Sequence, residues 1–180
     1  KKWYLFFLII LSSGFLKPKT ISLIIPCHIK HLQHVHELLK IYEQQTLLPN
    51  EIIVIASPIS NQHNLVQKIS AQAWLFPVKI ICNGQKLSPG QARNHGCTFA
   101  QGEIFVCQDA DDIPHPQRLE IIHYFFEKYN LDHLQHRWSY KDQWEIIHNF
   151  EHISFIFPKE FAECFPADGK FTQGNPSLSR

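Results

Sequence analysis

An acidic turn near the middle of the chain carries the side chains best suited to chemistry. Asp109, Asp111 and Asp112 follow the apolar run Ile104–Cys107, which Gly102 bounds on its other side. Such a run is typical of a buried strand, so the carboxylates are expected at a strand's carboxyl end, the edge where open α/β sheets bind ligands. Clustered carboxylates repel one another unless a cation or protonation relieves them.

A divalent cation is the predicted partner of this turn. Asp109 and Asp111 alternate in a segment that we expect to be extended, so both side chains would point to one side. Their oxygens suit Mn²⁺ or Mg²⁺, whose shell is usually completed by substrate phosphates. The structural alternative is a solvated turn in which the aspartates only shape the backbone.

A second polar group falls in the segment 90–96, at the start of a predicted helix that Ser88 and Pro89 begin as N-cap and first residue. Arg93 supplies a cation there and Asn94 an amide. Backbone N–H groups at a helix start favour anions, so a phosphate or ribose contact is predicted. The alternative is a helix whose glycines only permit close packing on a sheet.

The acidic turn and the helix start at segment 90–96 can meet only if the strands of one sheet end along a common edge. The order of strands and helices predicts such a sheet. Apolar runs indicate four strands, at Ile21–Ile25, Glu51–Ala56, Val78–Cys82 and Ile104–Cys107. Helical spacing indicates four helices, at His31–Gln45, Asn61–Trp74, Pro89–Ala100 and Gln117–Tyr129. Alternating strands and helices form right-handed parallel units. We therefore predict the α/β class, a three-layer α/β/α sandwich around a mostly parallel sheet, with a further strand at Ile153–Phe157.

Composition narrows the function classes. The chain has 180 residues, enough for one core, and a formal charge of +1 gives no basic surplus for nucleic acid. Its five cysteines show no Cys-x-x-Cys spacing, which predicts buried reduced thiols. Among twelve histidines, only His115, just after the acidic turn, is kept as a donor-site or metal neighbour.

The amino-terminal region predicts a separate segment. The apolar run 3–16 follows two lysines and is shorter than the roughly 20 residues of a spanning helix, as in a signal peptide or a clipped signal anchor. We expect residues 1–18 to lie outside a domain of residues 19–180. The protein would then be membrane-associated or secretory, and otherwise cytoplasmic. A first core element is the alternative. Because the sequence has no methionine, we expect it to be a fragment, a processed product or an incomplete gene model.

Four motifs together resemble family 2 glycosyltransferases, in order and spacing, over about residues 20–130. They are Ile21-Ser-Leu-Ile-Ile-Pro26, Pro49-Asn-Glu-Ile-Ile-Val-Ile55, Gly90-Gln-Ala-Arg-Asn-His-Gly96 and Gly102-Glu-Ile-Phe-Val-Cys-Gln-Asp-Ala-Asp-Asp112. The resemblance implies a GT-A fold that binds a nucleotide-sugar donor. It also implies metal-dependent transfer of the sugar, with inversion, to a hydroxyl of a carbohydrate, lipid or protein acceptor.

The resemblance also implies roles for particular residues. Asp111 would bind the metal, and Asp109 the metal or the donor's ribose. The other implied donor contacts are Asp112, Pro26 in the loop under the nucleobase, and Arg93 and Asn94 at the helix start.

Three departures from the family pattern keep other functions open. Ala56 and Ser57 stand where the family has an acid for the base, and Cys27–Ile29 replaces the usual first-strand loop. The general base is expected beyond Arg180, after a loop that Gln173–Ser177 resembles. Asp168 and Glu163 do not match its context. The alternatives are a non-catalytic nucleotide-sugar-binding module and a nucleotidyltransferase, for which the first loop lacks glycines.

Overall fold

A parallel sheet of four strands forms the centre of the domain. A computed structural model describes residues 17–61, 63–135 and 144–152. The strands are β1 (Ile21–His28), β2 (Glu51–Ser57), β3 (Val78–Cys82) and β4 (Ile104–Cys107), in the order β3-β2-β1-β4. Every pairing is parallel, so the carboxyl ends of all four strands lie along one edge. The predicted sheet is confirmed.

A helix follows each strand, as predicted from the apolar spacing. The helices are α1 (Leu32–Tyr42), α2 (Asn64–Ala71), α3 (Pro89–Cys97) and α4 (Arg118–Tyr129). Short 3₁₀ turns occupy Ile29–His31 and Phe150–His152. The helix α2 begins three residues later than predicted because the side chain of His63 caps it by accepting the N–H of Leu65. The helices α1, α2 and α3 each end three residues earlier than predicted.

Alternation along the strands divides the core between the two faces of the sheet. Leu23, Ile25 and Val54 are fully buried on the face that α1, α2 and α4 cover. Ile53 and Ile55 point the other way, where Ala92 of α3 packs on them. Because successive side chains of a strand alternate, both faces are apolar and need a helical layer. The result is the predicted three-layer α/β/α arrangement.

The prediction that β1 stops at Pro26 was wrong. The strand continues to His28, paired with Ser57 of β2. Pairing with β4 ends earlier, at Ile24, whose carbonyl accepts the N–H of Gln108. The N–H and C=O groups of a strand residue point to the same side as those of the residue two positions later. An N–H at Pro26 would therefore point, like the carbonyl of Ile24, toward β4, which no longer pairs with β1 at that position. The proline therefore removes no ladder hydrogen bond.

A glycine allows α3 to approach the sheet closely. A Cβ on Gly96 would overlap Cγ2 of Ile24 and lie 3.3 Å from Cγ1 of Ile55. Both isoleucines are fully buried in the sheet and cannot move aside cheaply. The close approach places α3, with its polar first turns, beside the end of β4.

Gly96→Ala is therefore expected to destabilise the domain by about 1–3 kcal/mol through overpacking. Denaturant unfolding measures the change. Gly84→Ala is the matched control, because nothing lies within 4 Å of a Cβ there. Equal stability of the two variants would contradict the close packing of α3.

Several predictions fall outside the described residues and stay predictions. They concern the apolar run 3–16, the strand at 153–157, Glu163, Asp168 and the loop 173–177. The predicted domain boundary after residue 18 also stays a prediction. In the described part of the chain, no helix has both the length and the apolar character needed to cross a membrane.

Candidate functional site

The acidic segment after β4 is a turn that points its carboxylates in different directions. The N–H of Asp112 donates to the carbonyl of Asp109 at 3.3 Å, which closes the turn. The side chain of Asp109 faces Arg93, whereas that of Asp111 faces His31. The expectation that the first two aspartates alternate along an extended segment was therefore wrong.

The turn is held from below by the buried side chain of Gln108, which is 5% exposed. Its Nε2 donates to the carbonyl of Asp109 at 2.9 Å and to that of Asp112 at 3.0 Å. Its Oε1 accepts the hydroxyl proton of Tyr42 at 2.9 Å. Two donors on one amide nitrogen thus bind both ends of the turn, which prevents the extended course that the sequence suggested.

Tyr42 and Arg118 complete this buried network. Nη1 of Arg118 donates to the Tyr42 hydroxyl at 3.0 Å, and Nη2 donates to the carbonyl of Cys107 at 2.8 Å. Burial raises the pKa of Tyr42 to about 12 despite the opposing charge of Arg118, so the phenol stays protonated and can donate to Gln108. The polar groups under the turn therefore satisfy one another.

Arg93 holds Asp109 from the other side of the edge. Nη2 of Arg93 lies 2.6 Å from Oδ1 of Asp109, and the two side chains are 24% and 47% exposed. The capping box of Ser88 and Gln91 starts α3 and fixes the turn that carries Arg93. Asn94, the next residue, is half-buried on the same helix. The predicted proximity of Arg93 to the aspartates is thus present.

Asp111 is the most accessible carboxylate of the paired aspartates, with 57% of its side chain exposed. Its Oδ2 lies 3.5 Å from Nδ1 of His31, which follows β1 in the 3₁₀ turn. That nitrogen is buried and has no hydrogen-bond partner among the described residues. Asp109 is thus neutralised by an arginine, while the contact described for Asp111 is a long one to an imidazole.

Asp112 has a carboxyl group that resists ionisation. Partial desolvation raises its pKa, and the charges of Asp109 and Asp111 raise it further, against the lowering effect of Arg118. The ionised form is consequently less favourable in the folded chain than in the unfolded one. This is the expected behaviour of a carboxylate that has two others beside it.

Asp112→Asn is therefore expected to raise the thermal midpoint at neutral pH. A carboxyl whose pKa is raised on folding destabilises the fold when it is ionised, and this cost disappears below the pKa in the unfolded chain. The advantage of the variant should shrink between about pH 7 and about pH 3, where Asp112 becomes neutral as well. Asp132→Asn is the control. If the thermal midpoint of Asp112→Asn exceeds that of the control by the same amount at both pH values, this prediction is contradicted.

The loop after β1 and the end of β2 form the neighbouring part of the edge. Pro26 is half-buried, and the buried thiol of Cys27 donates to the carbonyl of His28. Burial, reinforced by Asp111, raises the pKa of Cys27 to about 12, so it stays a neutral thiol. On β2, the hydroxyl of Ser57 accepts the N–H of Leu87 at 3.3 Å. Cys27 and Ser57, two of the residues that depart from the family pattern, therefore both have hydrogen-bond partners within the fold.

His115 has a structural position beside the turn. Its Nδ1 accepts the N–H of Gln117 at 3.1 Å, so Nε2 carries the proton and donates to the carbonyl of Glu145 at 3.1 Å. Its ring packs edge-on against Trp144. Both ring nitrogens are thus used within the fold, which leaves no nitrogen of this tautomer for a ligand.

Sequence reasoning missed three residues of the site. Gln108 stands inside the fourth family motif, where the resemblance implies no role for it. Tyr42 and His31 fall in the helix predicted at His31–Gln45, for which the sequence indicates no contact with the acidic turn. The one available signal was the position of Gln108, a polar residue directly after an apolar strand and before an acidic turn.

Gln108→Leu is expected to destabilise the chain by about 2–4 kcal/mol, because the buried Tyr42 hydroxyl loses the acceptor of its proton and two turn carbonyls lose the amide donor of Gln108. Denaturant unfolding checks the loss. Gln67→Leu on the exposed side of α2 is the control and should change stability by less than about 0.5 kcal/mol. If the two variants are equally stable, the turn does not depend on this amide.

The donor atoms of the edge fit a cation that is held only partly by protein. No group of three or more His, Cys, Asp or Glu side chains is placed to hold a metal ion in the described ranges. The orphaned Nδ1 of His31 beside the exposed carboxylate of Asp111 does offer two adjacent ligand atoms. A hard cation that keeps water and phosphate ligands needs no more than one or two protein groups.

A parallel α/β domain with three aspartates in a turn at the carboxyl end of a strand is the class that this fold and site define. The family model described as Glycosyl transferase family 2 matches residues 22–174, most of the chain. The chain belongs to glycosyl transferase family 2. The resemblance drawn from its four motifs is therefore confirmed. A comparison with curated proteins found no match.

Solved structures of TarS from S. aureus are similar to this chain. One TarS structure is 22% identical with a TM-score of 0.49, covering 62% of this chain and 20% of TarS. Structures of TarS 1-349 in complex with UDP and with UDP-GlcNAc are 21% identical with the same TM-score, covering 62% of this chain and 33% and 32% of theirs. This chain thus spans a fifth to a third of their length.

Proposed function

We propose that this chain is the donor-binding part of a glycosyltransferase that moves a sugar from a nucleotide-sugar to an acceptor hydroxyl, with inversion and with a divalent cation. The observation that carries the proposal is the acidic turn, which a buried amide fixes at the sheet edge while Asp111 stays exposed. Membership of the family supplies the reaction class.

The roles that we propose for Asp109 and Asp111 follow from the side chains that each of them contacts. Asp111 holds the cation, Mn²⁺ or Mg²⁺, since its carboxylate is the exposed one that lacks an arginine partner among the described contacts. Asp109, kept in place by Arg93, contacts the donor's ribose or the cation. The cation supplies charge neutralisation for the diphosphate leaving group.

The remaining donor contacts are proposed from position. Arg93 and Asn94 lie in the first turns of α3, where N–H groups favour phosphate oxygens. Pro26 lies in the last part of β1, under the expected place of the nucleobase, and Asp112 adds a polar contact at the end of the turn. The general base is proposed to follow Arg180, and direct attack by the acceptor hydroxyl would invert the sugar carbon.

Asp111→Asn is expected to abolish cation-dependent binding of a nucleoside diphosphate, because it removes the charged ligand while keeping the shape of the side chain. Calorimetric titration of the chain with UDP and with GDP, each with and without Mn²⁺, measures the loss. The fold should be retained, since the side chain is 57% exposed.

Asp132→Asn is the control, an exposed aspartate just after α4 and outside the turn. It should leave nucleotide binding unchanged. Equal cation-dependent affinity of the wild type and Asp111→Asn would refute the proposed role of the turn.

A second candidate is a module that binds a nucleotide-sugar without transferring it. It is favoured by the absence of an acid at the end of β2, where the Ser57 hydroxyl is already engaged by Leu87. Hydrolysis of a nucleotide-sugar by the wild-type chain, above the rate of Asp111→Asn, would exclude this candidate. Binding without any turnover in the full-length protein would favour it.

A further inference from the structure

Nδ1 of His31 is a buried nitrogen for which the part of the chain that the structure describes provides no hydrogen bond. It lies 3.5 Å from Oδ2 of Asp111, which is the nearest charged oxygen recorded for it. Hydrogen bonds between nitrogen and oxygen usually span about 2.7–3.2 Å. The two atoms therefore face each other across a gap that is slightly too wide for a direct bond.

The position of this imidazole is set by the elements around it. Nδ1 of His28 accepts the N–H of Lys30 at 3.2 Å and starts the 3₁₀ turn that ends at His31. Leu32 and Val35, both fully buried, then anchor α1 on the sheet. The ring of His31 lies 5.9 Å from that of His34 and 6.5 Å from that of His28. The gap to Asp111 is thus a product of the fold.

The width of the gap is close to that between two ligands of one metal ion. Ligand atoms at about 2.1 Å from an ion, at roughly 90–110° to each other, lie about 3.0–3.4 Å apart. We propose that His31 Nδ1 and Asp111 Oδ2 together bind the divalent cation of the donor site, with diphosphate oxygens and water in the other positions. This inference rests on the proposed function and adds a nitrogen ligand to it.

A nitrogen ligand has a consequence for metal choice. Imidazole favours transition metals, whereas sites built from carboxylate and water accept Mg²⁺ readily. The site should therefore prefer Mn²⁺ and Co²⁺ to Mg²⁺, and the preference should weaken when His31 is removed. Cys27, near the same carboxylate, stays a protonated thiol and does not compete as a ligand.

The competing explanation is that His31 is a positively charged partner of Asp111. An imidazolium would occupy the carboxylate and repel an incoming cation. Removing it would then strengthen cation binding. The two explanations predict opposite signs for the same substitution, which makes the affinity for the cation decisive.

Pulsed electron paramagnetic resonance of Mn²⁺ tests the nitrogen ligand directly. Inorganic pyrophosphate serves as the phosphate ligand because it contains no nitrogen. In the wild-type chain, the spectrum should show coupling to a directly bound ¹⁴N nucleus. His31→Ala should lose that coupling and bind Mn²⁺ at least about tenfold more weakly in the presence of pyrophosphate.

The matched control is His148→Ala, which removes an exposed histidine far along the chain and should preserve both the coupling and the affinity. His31→Gln is a second variant in case alanine disturbs the start of α1, and it should also lose the ¹⁴N coupling. Circular dichroism verifies that each variant is folded.

Two results would overturn the inference. If Mn²⁺ binding requires Asp111 but His31→Ala binds Mn²⁺ as tightly or more tightly, or if wild type shows no ¹⁴N coupling, then His31 is not a ligand and the proposed function stands. If Asp111→Asn binds Mn²⁺ and pyrophosphate as well as wild type, the proposed cation site fails together with this inference.

Discussion

The buried amide of Gln108 is the interaction on which the acidic turn at the sheet edge depends. Its nitrogen donates to the carbonyls at both ends of the acidic turn, and its oxygen accepts from Tyr42, 66 residues away in the sequence. A neutral amide can be buried at little cost when all its hydrogen bonds are made. The uncharged side chains of Gln108 and Tyr42, with Arg118 beside them, thus hold the turn while its carboxylates face solvent. Without this support, repulsion among the aspartates would favour a more open turn.

The helices on the two faces of the sheet position the side chains that contact Asp109 and Asp111. Gly96 lets α3 press against the sheet, which carries Arg93 to Asp109 and neutralises that carboxylate. On the opposite layer, α1 and the 3₁₀ turn before it bring His31 toward Asp111 without a hydrogen bond. The edge is therefore electrostatically uneven, with one aspartate satisfied and its neighbour available to a ligand.

The sequence predicted the elements well because apolar runs and helical spacing are local signals. All four strands and four helices of the described ranges were predicted, and the aspartates and Arg93 that meet at the sheet edge were among the candidate residues. The predictions that failed depend on contacts between residues that are far apart in the sequence. The turn after β4 depends on an amide that reaches back to α1, and Pro26 is tolerated only because β4 has already diverged. Likewise, nothing local reveals that His31 lies beside a carboxylate 80 positions later.

Paramagnetic broadening of backbone amide signals by Mn²⁺ tests the central claim most directly. The account predicts that, with a nucleoside diphosphate present, Mn²⁺ broadens the amides of residues 109–112 before any others in the described ranges. The amides of residues 28–31 should follow, since that loop lies next to the turn. Sharp signals from the turn at saturating Mn²⁺, with broadening elsewhere, would contradict the assignment of this edge as the cation and diphosphate site.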